Sequence, residues 1–262
     1  QKIKNGKRLY SITPRIPGGF VSATSLEKFA EVARKYKCSI KLTSGQRIML
    51  IGLKEEDVAK AYEDLGLEPA VKSQYSVKNV EICPGEICKR SRQNSLALGL
   101  RLERRFYGAP APNRTKIGVV GCLNACTSVH AKDIGVLANE EGFIVIAGGS
   151  AGYHPRLSDR IAENLTADEA YMMVEAVYDY YCEIAPMGEK LGNTIDRIGL
   201  DKFIEDVKQI YENYKISGIK DIDIKLYKDG RHEILNELEY ENVYNDIYNW
   251  LSERIKITQK SF

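Results

Sequence analysis

The sequence has little of the features that assign a function at first sight. Among 262 residues there are one tryptophan, three histidines and six cysteines, and six cysteines are too few for a disulfide scaffold in a chain of this size. The most apolar stretches, such as residues 143–152, have about half the length of a membrane span. Residues 1–20 are basic but lack the apolar core of a secretory signal. We therefore expect a reduced, cytoplasmic protein that contacts no membrane.

A strong net charge is also missing. The chain has 38 Lys and Arg against 36 Asp and Glu, a formal charge of +2, which indicates no nucleic-acid partner. The small total conceals an uneven distribution. Residues 1–132 carry 24 basic and 11 acidic side chains, a net of +13, whereas the other 130 residues carry 14 and 25, a net of −11. We therefore expect the first half to face an anionic ligand.

The composition, 44% hydrophobic and 28% charged, is typical of a soluble globular protein. Strand and helix patterns alternate in the first predicted domain, residues 1–75. A strand over 7–20 ends at Pro17 and is followed by a helix that begins with a capping box at 24–27. Two strand segments over 39–53 and a helix over 55–65 come next. This order predicts a small α+β layer.

A second domain is predicted over residues 76–214, and an extension with no assigned chemistry over 215–262. In the extension the patterns predict a strand pair and a helix near 241–254. The last two strands of the second domain are predicted to form a hairpin. The helices and strands of this domain are predicted at 92–106, 116–120, 134–138, 143–147, 167–185 and 200–214.

Four cysteines have the spacing of ligands. Cys83 and Cys88 form a C-x4-C pair, and Cys122 and Cys126 form a C-x3-C pair. Four thiolates suit Zn²⁺ or an iron–sulfur cluster, and unligated buried cysteines are the third interpretation. Structural zinc sites usually contain a C-x2-C knuckle, which neither pair has, so a cluster is favoured over zinc. The remaining two cysteines are assigned to ordinary packing.

An ordered set of motifs over residues 8–210 resembles the sirohaem-dependent nitrite and sulfite reductases, as a small, single-repeat member similar to sulfite reductases. Besides the cysteine pairs, the set comprises RIPGG at 15–19, KLTSGQRI at 41–48, GCLNAC at 121–126, KDIGV at 132–136, AGGSAG at 147–152 and RIGL at 197–200 with Phe203. The resemblance implies an α+β fold, with a ferredoxin-like N-terminal subdomain followed by an α/β domain that binds sirohaem and a [4Fe–4S] cluster.

The same resemblance implies a site for the cofactors. Cys83, Cys88, Cys122 and Cys126 would bind the [4Fe–4S] cluster, and Cys126 would also bridge to the sirohaem iron. The other residues that it places against the cofactor are Arg47, Asn124, Gly148 and Gly149. Because sirohaem has eight carboxylates, it needs basic partners, which the basic first half supplies.

The implied reaction is the six-electron reduction of sulfite to sulfide, with nitrite reduction to ammonia as the alternative within the family. Arg15, Arg114 and Lys116 would attract the anion and supply protons. Lys89, Arg90, Arg92 and Lys132 are secondary candidates. A non-catalytic iron–sulfur electron-transfer subunit is an alternative of another class.

The predicted partners follow from the same comparison. No dinucleotide-binding loop or flavin motif is visible, so electrons would come from a separate donor such as ferredoxin or a reductase subunit. Since the larger reductases contain two copies of this unit and this chain has one, the site forms within one chain or in a homodimer.

Two local departures from the family pattern concern the site itself. The first cysteine pair encloses four residues, where many relatives have five. Gly45 replaces the common arginine of a T-x-R-Q motif, and Arg47 follows two positions later. This form is more similar to the NAD(P)H-linked nitrite reductases than to the classical sulfite reductases, and it leaves open which cation lies above the iron.

Overall fold

The computed structural model describes residues 2–4 and 7–217, together with residues 244, 245 and 248. Residues 1–217 form one unit by their internal contacts, and residues 218–262 form another. The strand pair and the helix predicted for the C-terminal extension lie outside the described residues, apart from three isolated positions. In the described part, no helix combines the length and the apolar character that a membrane crossing requires.

The N-terminal layer is an antiparallel sheet with two helices packed against it. The strands lie in the order β1-β2-β4-β3, and Phe29, Leu50 and Ala61 are fully buried between the sheet and the helices. The elements are β1 (Lys2–Lys4), β2 (Lys7–Ile12), α1 (Ala23–Lys35), β3 (Ser39–Leu42), β4 (Ile48–Leu53) and α2 (Val58–Leu65).

Two local predictions for this layer are wrong. The first strand ends at Ile12 rather than at Pro17, because Pro14 comes earlier and cannot donate to a sheet ladder. The capping box predicted at 24–27 is not used: Ser22 is the N-cap, and its Oγ accepts the amide of Ser25 at 3.1 Å.

The second layer is a mixed five-stranded sheet in the order β5-β6-β7-β8-β9. The first three strands are parallel, and the last two are antiparallel to their neighbours. The hairpin of β7 and β8 has the predicted bounds, whereas β5, β9 and α5 were not predicted. The elements are β5 (Glu81–Ile82), α3 (Ser95–Phe106), β6 (Ile117–Val120), β7 (Ile134–Ala138), β8 (Phe143–Ala147), β9 (Asp159–Leu165), α4 (Ala167–Ile184), α5 (Leu191–Ile198) and α6 (Leu200–Ser217).

The two faces of this sheet differ in what covers them. Alternate residues, such as Ile117 and Val119 of β6, pack with the helices in the main core. The opposite residues, such as Cys83 and Val120, form a smaller cluster with Val129. We call this second side the cysteine face; its central residues are Glu81, Cys83, Gly118, Val120 and Leu137. The segment that follows β6, rather than a long helix, covers it.

Candidate functional site

The two cysteine pairs follow two neighbouring parallel strands. Cys83 comes directly after β5, and its N–H donates to the carbonyl of Val119 at 3.0 Å. Cys122 lies two residues after the end of β6. Because β5 and β6 are parallel and adjacent, their carboxyl ends meet at one edge of the sheet. The fold therefore brings the two pairs, 39 positions apart in sequence at Cys83 and Cys122, to the same place.

Hydrogen-bond donors are directed at the sulfurs of this edge. The N–H groups of Gly121 and Gly85 lie 3.1 and 3.4 Å from Cys83 Sγ, and the side-chain amide of Asn124 donates to Cys126 Sγ at 3.1 Å. All six cysteines are free thiols. A thiolate accepts such N–H groups readily, and metal–sulfur centres are tuned by them. The donor set therefore suits sulfur that carries negative charge.

Glycine is required at both donor positions to Cys83. Gly85 has φ +58°, and a Cβ there would lie 2.7 Å from Leu96 Cβ. A Cβ on Gly121 would lie 2.4 Å from Ser91 Oγ. Both separations are shorter than van der Waals contact. Close approach of the two turns, rather than loop flexibility, explains these glycines.

The second pair lies in a strained loop. Ala125 and Ser128, on either side of Cys126, have φ +52° and +54°, a region that non-glycine residues rarely adopt. Between them, the buried hydroxyl of Thr127 has no hydrogen-bond partner among the described residues. Strain and an unpaired polar atom in one loop are typical of a functional site.

A cleft of about 520 Å³ adjoins this edge, and Cys122, Asn124, Arg90 and Arg92 line it with the β7–β8 turn. Within the described ranges, no three His, Cys, Asp or Glu side chains are gathered as ligands of a single metal ion. An iron–sulfur cluster needs a different arrangement, because each thiolate binds a separate iron of a larger body. Four free thiols that follow two neighbouring strands, two of which accept N–H donors, have the chemistry for such a group.

Cationic side chains concentrate at the amino ends of the same strands. Arg114 and Lys116 precede β6. Lys116 alternates with the core residue Ile117, which places it on the cysteine face with Gly118, and Arg114 lies close enough to lower the pKa of Lys116. Lys132 crosses this face, with its Nζ 2.5 Å from Glu81 Oε2. We define the cationic group by six residues of this region, namely Arg15, Arg47, Lys78, Arg114, Lys116 and Lys132.

Members of the cationic group repel one another in a poorly solvated setting. Burial, together with the positive charges of Arg114 and Arg47, lowers the pKa of Lys78 to about 8. Burial also lowers the pKa of Lys116, with Arg114 and Lys132 acting in the same direction against Glu81 and Asp133. Lost hydration and like charge both favour release of a proton or binding of an anion.

Arg47 turns back over the glycine that departs from the family motif. A Cβ on Gly45 would lie 2.9 Å from Arg47 Nη2. Burial lowers the pKa of Arg47, opposed by Glu81 and Glu103, and its Nε has no partner within the described part of the chain. The absence of a side chain at position 45 therefore makes room for the guanidinium at position 47.

Glu103 connects Arg15 to the second sheet. Its side chain is 1% exposed, and its carboxylate accepts Val80 N–H at 2.6 Å and Arg15 Nε at 3.1 Å. The guanidinium of Arg15 also stacks 3.9 Å above the ring of Tyr107. Burial raises the pKa of Glu103, against the two hydrogen bonds. Arg15 is consequently held by α3, at the margin of the cationic group.

Asp133 fixes the start of β6. Its Oδ2 accepts the backbone N–H of Lys116 at 2.8 Å, and burial raises its pKa to about 6 despite this hydrogen bond. Lys116 and Lys190 oppose the shift by their charge. A carboxyl group with this pKa beside Lys116 is able to exchange a proton near neutral pH.

The structure brings together Arg15, Arg47, Arg114 and Lys116, and it places Asn124 and Cys126 at the cysteine edge. It shows no open space for a cofactor beside Gly148 and Gly149, which were predicted to contact one. Gly148 has φ +88°, and a Cβ on Gly149 would lie 2.4 Å from the carbonyl of Lys132. Protein packing alone therefore accounts for glycine at both positions. The exposed Arg90 and Arg92 line the cleft, and Lys89 is also exposed.

Four residues of the site were not predicted, namely Lys78, Glu81, Glu103 and Asp133. A signal existed for two of them. Lys78 lies among the apolar residues Val77, Val80 and Ile82, and Glu103 falls on the helix face of the buried Leu102 and Phe106. A charge at a core position indicates either a paired or a functional group.

Two family models match the chain. One, described as nitrite and sulphite reductase 4Fe-4S domain, covers residues 73–215, and the other, described as nitrite/sulfite reductase ferredoxin-like half domain, covers residues 1–67. The chain therefore belongs to the nitrite and sulphite reductase family. The predicted α+β fold, with a ferredoxin-like subdomain before the reductase-type domain, is confirmed.

The chain is similar to two curated relatives, and it spans different shares of their lengths. The assimilatory-type sulfite reductase of Nitratidesulfovibrio vulgaris is 33% identical over 78% of this chain and 90% of its own length. The NAD(P)H nitrite reductase of Bacillus subtilis is 32% identical over 89% of this chain, but the match spans only 30% of that enzyme. Among solved structures, dissimilatory sulfite reductase I matches with a TM-score of 0.67 at 14% identity, over 87% of this chain and 75% of that one.

Proposed function

We propose that the protein is a sirohaem and [4Fe–4S] oxidoreductase that reduces sulfite to sulfide with six electrons from a separate donor. One observation carries the proposal. β5 and β6 have cysteine pairs after their carboxyl ends and cationic side chains before their amino ends. Cys83 and the ion pair of Lys132 with Glu81 lie on one face of the sheet. A cofactor that needs both a thiolate and many cations would lie along this face.

The cluster would be bound by Cys83, Cys88, Cys122 and Cys126, with Cys126 shared with the sirohaem iron. When bound, the two groups would supply single electrons and the iron at which the anion is reduced. Asn124 donates to Cys126 Sγ and would keep this thiolate oriented. Arg47, with an unpaired Nε, is suited to a carboxylate of the macrocycle. Gly148 and Gly149 would contact the macrocycle through their backbone only, since packing already requires glycine at both positions.

Arg114, Lys116 and Lys78 would bind the anion, and Arg15 would complete the site from the N-terminal subdomain. Their positive charge favours a dianion and the charge that develops as S–O bonds break. Reduction of SO₃²⁻ to S²⁻ consumes six protons and releases three waters. Lys78, with a pKa of about 8, and Asp133, with a pKa of about 6, are suited to pass on these protons.

Nitrite is the second candidate substrate, because its reduction needs the same cations. The Bacillus subtilis relative and the arrangement of Gly45 with Arg47 favour nitrite. The relative of which this chain spans 90% is named a sulfite reductase, and we give this near-complete match more weight. In either case the electrons would come from ferredoxin or a reductase subunit, in the cytoplasm, in a monomer or a homodimer.

The visible spectrum of the anaerobically purified protein tests the cofactor assignment. We expect the Soret band and the red band of sirohaem, with iron and acid-labile sulfide for one four-iron cluster per chain. A brown protein without tetrapyrrole would contradict the proposal and favour an electron-transfer subunit. A colourless, zinc-containing protein would contradict both interpretations.

Turnover with a reduced viologen as donor tests the substrate. We expect sulfite to be reduced with the higher kcat/KM when sulfite and nitrite are compared in one preparation. A higher kcat/KM for nitrite would overturn the choice of sulfite and leave the cofactor assignment intact.

A further inference from the structure

The side chain of Gln46 lies along the edge of β5 that faces away from β6. It contacts Ile82, the residue before Cys83. One edge of β5 pairs with β6, which receives the N–H of Cys83. On the other edge, Gln46 Oε1 accepts the N–H of Ile82 at 2.9 Å, and Gln46 Nε2 donates to the carbonyl of Ile82 at 2.6 Å. The amide therefore makes both hydrogen bonds that a further strand would make with this residue.

The chain that carries Gln46 is itself tightly fixed. Thr43 and Arg47 close the turn through three hydrogen bonds of 2.9 to 3.2 Å, two of which use the hydroxyl of Thr43. Gln46 has φ +57° at the corner of the turn. A Cβ on Gly19 would lie 3.1 Å from Gln46 Cβ, so the RIPGG segment packs directly against the side chain. The amide is thus presented from a rigid support.

Ile82 is also confined on its side-chain atoms. Its side chain is 1% exposed, and a Cβ on Gly99 of α3 would lie 2.8 Å from it. A Cβ on Gly18 would lie 3.3 Å from Ile82 Cδ1. Two glycines therefore provide the space for this residue, and Gln46 fixes its backbone. The residue before Cys83 is therefore fixed both at its backbone and at its side chain.

We propose that Gln46 is a positioning residue for Cys83. By fixing the end of β5, its amide directs Cys83 Sγ toward the N–H groups of Gly121 and Gly85. Hydrogen bonds to a ligating sulfur alter the reduction potential of an iron–sulfur cluster, so the ferredoxin-like subdomain would tune a cluster that it does not ligate. The statement about the cluster rests on the proposed function, whereas the statement about β5 does not.

Two substitutions separate the amide from the bulk of the side chain. Gln46→Met keeps the length and the packing against Gly19 but removes both hydrogen bonds. Gln46→Glu keeps the acceptor for Ile82 N–H and places a carboxylate oxygen against the carbonyl of Ile82, so it is expected to disturb Cys83 more than Met does. The matched control is Asn79→Ala, since Asn79 Nδ2 joins the same turn at Gly45 O with a 3.1 Å bond but does not contact Ile82.

The full chain is measured in two ways. Hydrogen exchange in the metal-free protein should show the Ile82 amide about tenfold less protected in Gln46→Met, as expected for the loss of one hydrogen bond, and unchanged in Asn79→Ala. In the cluster-loaded protein, both Gln46 variants should retain four irons per chain but show altered EPR g-values and a shifted midpoint potential, with the larger shift in Gln46→Glu.

Three results would overturn the inference. They are wild-type protection of Ile82 in Gln46→Met, wild-type EPR and potential in both Gln46 variants at full iron content, and an equal shift in Asn79→Ala. A wild-type protein that takes up no cluster would instead contradict the proposed function, and the exchange of the Ile82 amide would still decide whether Gln46 fixes β5.

Discussion

The two ends of β5 and β6 are built in opposite ways. At the carboxyl ends, backbone N–H groups and obligatory glycines direct donors to thiols. At the amino ends, mutually repelling side chains are buried against the carboxylates of Glu81, Glu103 and Asp133. At the first end, N–H groups satisfy the buried thiol of Cys83, and the strain is confined to the loop of the second pair. At the second end, the like charges would lower the free energy of unfolding until an anion binds. Substitutions at the two ends should therefore differ in their effects.

The largest effect is expected at the cysteine end. Cys83→Ser removes a buried sulfur to which two N–H groups point, and oxygen binds cluster iron less well than a thiolate. We expect loss of the cluster and at least a thousandfold lower reductase activity, measured by iron and sulfide content and by turnover. Cys38→Ser is the control, because this free cysteine packs in the N-terminal layer. Equal loss of iron in both variants would contradict the assignment.

The next effect concerns the cationic end. Replacing Arg114 and Lys116 together by Ala should lower kcat/KM for the anion by about a thousandfold, or ~4 kcal/mol, because charge stabilisation of the reacting anion is lost. The EPR spectrum of the cluster should not change, since the cysteine edge is formed by other residues. Arg104→Ala, an exposed arginine of α3, controls for loss of positive charge alone. Retained turnover in the double variant would remove these residues from the site.

The sequence alone predicts some features of the two strand ends and not others. The cysteine pairs and the β7–β8 hairpin have local patterns, namely close spacing and short apolar runs around Glu141 and Gly142. β5 has two residues, and β9 is half polar, so neither has a periodic signal. The contacts of Gln46 with Ile82 and of Arg15 with Glu103 join residues 36 and 88 positions apart. Such pairings depend on how the two layers pack, which no local pattern contains.

A smaller effect is expected within the cationic end, at the carboxylate that holds Arg15. Glu103→Gln keeps an acceptor for Val80 N–H but removes the charge that holds Arg15. We expect about tenfold lower kcat/KM, mostly through KM, because Arg15 becomes less ordered. Glu86→Gln, at an exposed position beside the first cysteine pair, is the control. An unchanged KM for the anion in Glu103→Gln would show that Arg15 does not depend on this carboxylate.

The smallest effect is expected from Lys78→Met, a substitution that should stabilise the metal-free protein. Lys78 has a pKa of about 8 when folded, below the usual 10.5, so below pH 8 it is charged in both states and burial of that charge destabilises the fold. Lys78→Met should therefore raise the free energy of unfolding of the metal-free protein at pH 7, on the order of 2 kcal/mol, while it weakens anion binding.

Between pH 8 and 10.5 the folded wild-type protein releases this proton before the unfolded chain does. The wild-type stability should rise through this range, and the advantage of the variant should shrink with it, as chemical denaturation at several pH values would measure. A less stable variant at pH 7 would mean that the lysine, through its bonds to Ser73 and Ser76, supports the fold, and the contrast between the two ends would not hold.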